Sequence, residues 1–105
     1  MAKKVKPQAK AKKQPEKLLV KVPAEYVFWC HDGSIFADIN ELAEGLAAMS
    51  DETFAYHSNL EKQDFNNWVR DVIRDEQLAD ELARATSRLQ ADEYVVTRIA
   101  LLTGK

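Results

Sequence analysis

Apolar positions recur at helical spacing over most of the chain after residue 38, and alternate with the period of a strand only over residues 26–37. The clearest helical run is Phe65, Trp68, Val69, Val72 and Ile73, whose i, i+3, i+4, i+7, i+8 spacing paints one helix face. Ile39, Leu42, Ala43, Leu46 and Met49 form a second stripe, and Leu78, Ala79 and Leu82 a third. The last set, Leu89, Val95, Val96, Ile99, Ala100, Leu101 and Leu102, is wider than a single core stripe. Asp38 before Glu41, Ser58 before Glu61 and Ser87 before Gln90 have the spacing of N-caps, and Ser50 and Asp75 are further caps. These signals predict helices over 39–49, 51–57, 59–74, 76–86 and 88–102. One continuous coiled coil over 78–99 competes with the last two, but it would put Asp92 in the seam and leave the Ser87 cap unused, so a break is predicted.

Residues 26–37 read as a β-hairpin about Asp32-Gly33, a preferred pair for a two-residue type I′ loop. That register sets Cys30 opposite Ile35 and Trp29 opposite Phe36. It places Phe28, Cys30 and Ile35 on one face, with Trp29, His31 and Phe36 on the other. Both faces are substantially apolar, so one packs on helices and the other calls for cover from the body or from a second chain. The fold class is therefore mainly α: a short N-terminal hairpin, then about five helices in one domain over 22–105.

Residues 1–21 depart from this patterning. They hold eight lysines against Glu16, a formal +7, whereas residues 22–105 hold seven basic and sixteen acidic residues, a formal −9. The total of −2 thus hides a cationic tail on an anionic body. Low apolar content predicts a disordered tail, because little buried surface offsets the entropy of ordering it. Residues 18–22 read as an extended lead-in stopped by Pro23. A single cysteine, Cys30, excludes an intramolecular disulfide and fits a reducing compartment, and no run approaches a signal-peptide core or a membrane span. A cytoplasmic protein without membrane contact is expected. Gly33, Gly45 and Gly104 are the only glycines, so glycine-rich phosphate loops are absent from the sequence.

Phe28 with Asp32-Gly33, Glu41-Leu42, Met49-Ser50-Asp51, Phe54, Tyr56-His57, and Asp64-Phe65 with Trp68 and Asp71 resemble a family of small bacterial and archaeal proteins classed only as a domain of unknown function. The resemblance covers residues 26–86, most specifically in the H-x6-D-F-x-x-W run, with Gln63 where asparagine is expected. It implies a mainly helical domain and brings no activity.

Candidate chemistry is sparse. Cys30, His31 and Asp32 invite a nucleophile or metal reading, but adjacent strand residues point to opposite faces and the zinc spacings are missing, so no metal and no cofactor are expected. His57 near one helix end and Asp64 in the opening turns of the next are placed to bond across a corner beside Trp68, with a general acid–base pair as the sharper alternative. Asn66, Asn67, Arg70, Asp71 and Arg74 form the polar face of the central helix. Asn67, Arg70 and Arg74 are its candidate partner surface, offering donors for phosphate or carboxylate. Lys3, Lys4, Lys6, Lys10, Lys12, Lys13 and Lys17, with Lys21, would bind DNA or RNA without regard to sequence. Engaging roughly six phosphates gives a log–log salt slope of about −5. The tail holds no aromatic residue for base stacking. The leading reading is a non-enzymatic binding module, associated with nucleic acid through the tail. The rivals are an interaction or scaffold domain that self-associates through the hairpin and last helix, and an enzyme using His57 and Asp64.

Overall fold

The computed structural model describes residues 15–104. The order is α1 (Pro15–Leu18), a 3-10 turn (Ala24–Tyr26), β1 (Phe28–Trp29), β2 (Ile35–Phe36), α2 (Ile39–Ala48), α3 (Asp51–His57), α4 (Asp64–Trp68), α5 (Glu76–Ala83) and α6 (Arg88–Leu102). The mainly helical architecture with a hairpin ahead of five helices is as the patterning predicts. α2 and α6 pack broadly on each other, α5 lies against α4 and α6, and the hairpin rests on α2 through β2.

The caps read from the sequence set most helix starts. Asp38 accepts the Glu41 N–H at 2.8 Å, Ser50 that of Thr53 at 3.0 Å, Asp75 that of Leu78 at 3.1 Å and Ser87 that of Gln90 at 3.1 Å. Each satisfies a donor that the helix itself leaves open. The break between α5 and α6 falls at Ser87, which removes the coiled coil. Every residue of the second and third stripes is buried, and Ile39, Leu42, Leu46, Val69, Ile73, Leu78 and Val95 are sealed from solvent.

The central helix is shorter than predicted. It starts at Asp64 rather than 59, because Asn59 captures the donors that a Ser58 cap would need. Its Oδ1 accepts the N–H groups of Glu61 at 2.8 Å and Lys62 at 2.9 Å, while its Nδ2 donates to Ala55 O at 2.8 Å. Ser58 instead bridges to Gln63. Beyond Trp68 the chain widens into a π-helix over Val69–Ile73, closed by the Arg74 N–H donating to Val69 O at 2.8 Å, and Arg74 ends it in the left-handed region at φ 76°. Through both windings Phe65, Trp68, Val69 and Ile73 stay buried, with Val72 half-buried.

The hairpin register differs from the prediction by one residue on one strand. Phe28 pairs with Phe36 and Trp29 with Ile35. The loop has three residues: the Gly33 N–H donates to Cys30 O at 2.9 Å, the Cys30 N–H donates to Ser34 O at 2.9 Å, and Gly33 sits at φ 95°. Asp32 avoids the positive φ that a type I′ turn demands and accepts the Ser34 N–H at 2.9 Å through Oδ1, so the turn carries a glycine bulge. Phe36 thereby joins Phe28 and Cys30 in the core. The opposite face, Trp29 at 69 % and Ile35 at 47 % exposure, is left uncovered by the body.

The body also begins before residue 22. Leu18 is buried, the Val22 N–H donates to Ala37 O at 2.8 Å, and Lys21 is paired with Asp38 and Glu41. Pro15–Leu18 is helical, and Leu18 and Lys21 are core and clamp rather than part of a disordered tail, because Leu18 finds apolar surface and Lys21 finds two carboxylates. The disorder predicted for residues 1–14 lies outside the described residues.

Candidate functional site

His57 closes α3 beneath a cage of rings: Phe28, Phe65 and Tyr56 have centroids 5.1, 5.2 and 5.0 Å away, and the side chain is 5 % exposed. Both ring nitrogens are used. The His31 backbone N–H donates to Nε2 at 2.9 Å, so the proton sits on Nδ1, which donates to Asp64 Oδ2 at 2.9 Å. One side chain thereby joins the hairpin turn, α3 and α4. The corner that the sequence suggests exists, and it has a third strap from His31 that spacing does not reveal.

Outside this buried knot lies an exposed stack. The His31 ring lies on Tyr56 at 3.9 Å with 16° between planes, the Lys62 ammonium stands 3.7 Å from the Tyr56 centroid, and Lys62 Nζ is 3.6 Å from Asp64 Oδ2. Trp68, buried beside Phe28, donates its indole N–H to Tyr26 O at 2.8 Å. Two straps, one imidazole and one indole, therefore hold the hairpin and its lead-in to the α3–α4 corner.

Cys30 is buried while His31 is exposed, as opposite-facing neighbours should be. Burial pushes the Cys30 thiol above its usual range, so it is held in the unreactive protonated form. Among the described residues no group of three or more His, Cys, Asp or Glu is placed to hold a metal ion.

The polar face of the central helix needs one correction. Asn66 is buried at 5 % exposure and donates to Gln63 Oε1 at 3.2 Å, so it belongs to the corner and not to a solvated face. It follows the buried Phe65 and stands three residues before the buried Val69, on the edge of the apolar stripe. Asn67, Arg70 and Arg74 are exposed; Arg70 donates to Asn67 Oδ1, and its Nε lies 3.7 Å from Asp71. Lys17 is exposed at the end of α1, while Lys3, Lys4, Lys6, Lys10, Lys12 and Lys13 lie outside the described residues.

Three anchors escape sequence reasoning. Arg88 donates to Leu46 O at 2.8 Å, Ala47 O at 3.1 Å and Asp51 Oδ1 at 2.8 Å, tying α6 to the end of α2. Arg98 donates to the buried Asp75 at 2.8 Å. Lys21 clamps the α2 cap. Asp38 and Asp75 are legible as caps, but their distant cations are not.

No protein-family model, curated protein or solved structure matches the chain. No helix among the described residues is long and apolar enough to cross a membrane.

Proposed function

We propose that the protein is a non-enzymatic binding module of the reducing cytoplasm, whose lysine-rich N-terminal segment engages the phosphates of DNA or RNA while the helical body contacts protein. The observation that carries this reading is the division of charge, +7 over residues 1–21 against −9 over residues 22–105. A polycationic segment gains affinity for nucleic acid by releasing counterions, whereas an anionic body is repelled by the same polymer. The occupied nitrogens of His57 count against the acid–base alternative, since an imidazole bonded at both ends has no site left for substrate.

The test is an electrophoretic shift with generic DNA and RNA at two salt concentrations, using the full chain and a chain lacking residues 1–14. Binding that falls steeply with salt and vanishes on deletion supports the reading. Binding unaffected by deletion overturns it.

The exposed pair Trp29 and Ile35 favours a second reading, self-association through the hairpin, to which the exposed Leu89, Val96 and Leu101 of α6 add apolar surface. Sedimentation of Trp29→Ser/Ile35→Thr against the parent decides it. A dimer in the parent that the variant abolishes favours scaffolding; a monomer in both removes it.

A further inference from the structure

A cleft of about 360 Å³ lies between the α3–α4 loop and the end of α5. Leu60 borders it from the loop, Leu82, Ala83 and Ala85 border it from the α5 side, and Gln63 and Asn66 supply two carboxamides from the start of α4. Asn66 is 5 % exposed and donates one Nδ2 N–H to Gln63 Oε1 at 3.2 Å, while its Oδ1 accepts no hydrogen bond from any described residue. Among the described residues Asp92 Oδ1 is the only sealed side-chain atom without a partner, so Asn66 Oδ1 reaches solvent, and it does so at the cleft it lines. A buried carboxamide with one acceptor and one N–H left over is completed by a group that brings a donor and an acceptor side by side.

We infer that this cleft binds a neutral planar base, adenine before the others, carried by a free nucleoside or by an unpaired stretch of nucleic acid. No charged side chain among the described residues lines it, so an ion would lose its water there without gaining a partner. Adenine carries an amino N–H beside a ring nitrogen. The amino group donates to Asn66 Oδ1 and the ring nitrogen accepts the second Nδ2 N–H, the two-point pairing of a carboxamide with adenine. The corresponding edge of guanine offers two acceptors and leaves Oδ1 unpaired. The flat faces of a base also cover Leu82, Ala83, Ala85 and the wholly exposed Leu60, taking apolar surface out of water. A glutamine side chain from another protein would satisfy the carboxamide but leave most of the cleft, and Leu60 with it, in water. The inference does not depend on the lysine-rich segment. Where the base belongs to a strand, the cleft adds a base preference to a phosphate contact that has none.

The walls are fixed in advance. Asn59 pins the loop: its Nδ2 donates to Ala55 O at 2.8 Å, its Oδ1 accepts the N–H groups of Glu61 at 2.8 Å and Lys62 at 2.9 Å, and its own N–H donates to Lys62 O at 2.8 Å. Ser58 bridges to Gln63, and the Ala85 N–H donates to Leu82 O at 3.1 Å at the end of α5. A cleft held by such bonds loses little conformational freedom when filled. The side-chain amide signals of Asn66 and Gln63 report on it directly, while that of Asn67, which does not line the cleft, serves as an internal control.

The experiment is an NMR titration of the full chain with adenosine, run beside purine riboside, which lacks the amino group, and N-acetylglutamine amide. The expected result is a saturable shift of the Asn66 and Gln63 side-chain amides, about tenfold tighter with adenosine than with either control. Leu60→Ser and Ala83→Asp, both at exposed side chains, should each weaken adenosine binding by about tenfold. The same shifts should persist in the chain lacking residues 1–14, which separates failure of the cleft from failure of the lysine-rich segment. A gel-shift comparison of oligo-dA with oligo-dT then assigns the source of the base. An oligo-dA preference of about tenfold that Leu60→Ser removes places it in a strand, and adenosine binding without that preference places it in a free nucleoside. No saturable shift, an equal response to purine riboside or to N-acetylglutamine amide, or shifts at Asn67 in place of Asn66 would each overturn the inference.

Discussion

The backbone N–H of His31 and the Nε2 of His57 meet at 2.9 Å across 26 positions of sequence. A hairpin of two residues per strand has too few cross-strand bonds to stand alone, so its attachment to the corner matters more than its own ladder. His57→Ala removes that acceptor, the Asp64 bond and a caged ring together. A stability loss of about 3 kcal/mol is expected, read as a lowered midpoint in thermal or urea unfolding. DNA binding by the full chain at a temperature where the variant is folded should be unchanged. Unaltered melting with lost binding would instead make His57 a contact residue.

Gly45 permits a close approach of the Phe36 ring to α2. A β-carbon there would stand 2.2 Å from the Phe36 ring, far inside contact distance. Gly45→Ala gains up to about 1 kcal/mol of helix propensity and incurs overpacking of about 1–3 kcal/mol. A net loss of stability is expected, partly restored in the Gly45→Ala/Phe36→Leu double variant. Additive losses would show that the two positions do not compete for the same space.

Asp92 has a buried carboxylate oxygen, Oδ1, without a hydrogen-bond partner among the described residues, and burial pushes its pKa up, opposed by the nearby Arg88 charge. The folded state then holds this proton more tightly than the unfolded chain does. Its favourable contribution is complete below the unfolded pKa and is lost as pH rises through the higher folded value. Asp92→Asn should therefore stabilise the protein at neutral pH, and the advantage should shrink on acidification. A gap between parent and variant that is constant with pH would contradict this.

Glu41 titrates with the opposite sign. Its pKa is held down first by Lys21 and then by the Ala37 N–H, which donates to Oε1 at 2.7 Å. Its contribution is present above the unfolded carboxyl pKa and is lost as pH falls through the lower folded value. Lys21→Ala should therefore lower stability at neutral pH, modestly because the ammonium is exposed, and the difference from the parent should close as pH falls through the folded Glu41 value. Identical acid-unfolding curves for the two proteins would remove the clamp from the picture.

Local signals carried much of this fold. Asp38, Ser50, Asp75 and Ser87 are caps whose donors lie within three residues, and the stripe from Phe65 to Ile73 survives a change of helical winding. Two of the misreadings share one cause, a competing local bond. Asn59 took the donors assigned to Ser58, and Asp32 stayed out of the left-handed region that Gly33 alone adopts in the turn, which moved the register by one. The corner at His57 and Asp64 was legible because its residues flank one turn. The straps from His31, Trp68, Arg88 and Arg98 were not, since they join distant residues and leave no periodic trace.

α1 lies against α6, so the first and last described helices touch. Leu18, buried there, makes the entry of the chain a keystone for its exit. Trimming the basic segment as far as residue 14 leaves this closure whole, whereas a cut past Leu18 would loosen the final helix. A protease that nicks on the near side of α1 and one that nicks beyond it should yield fragments of unequal lifetime.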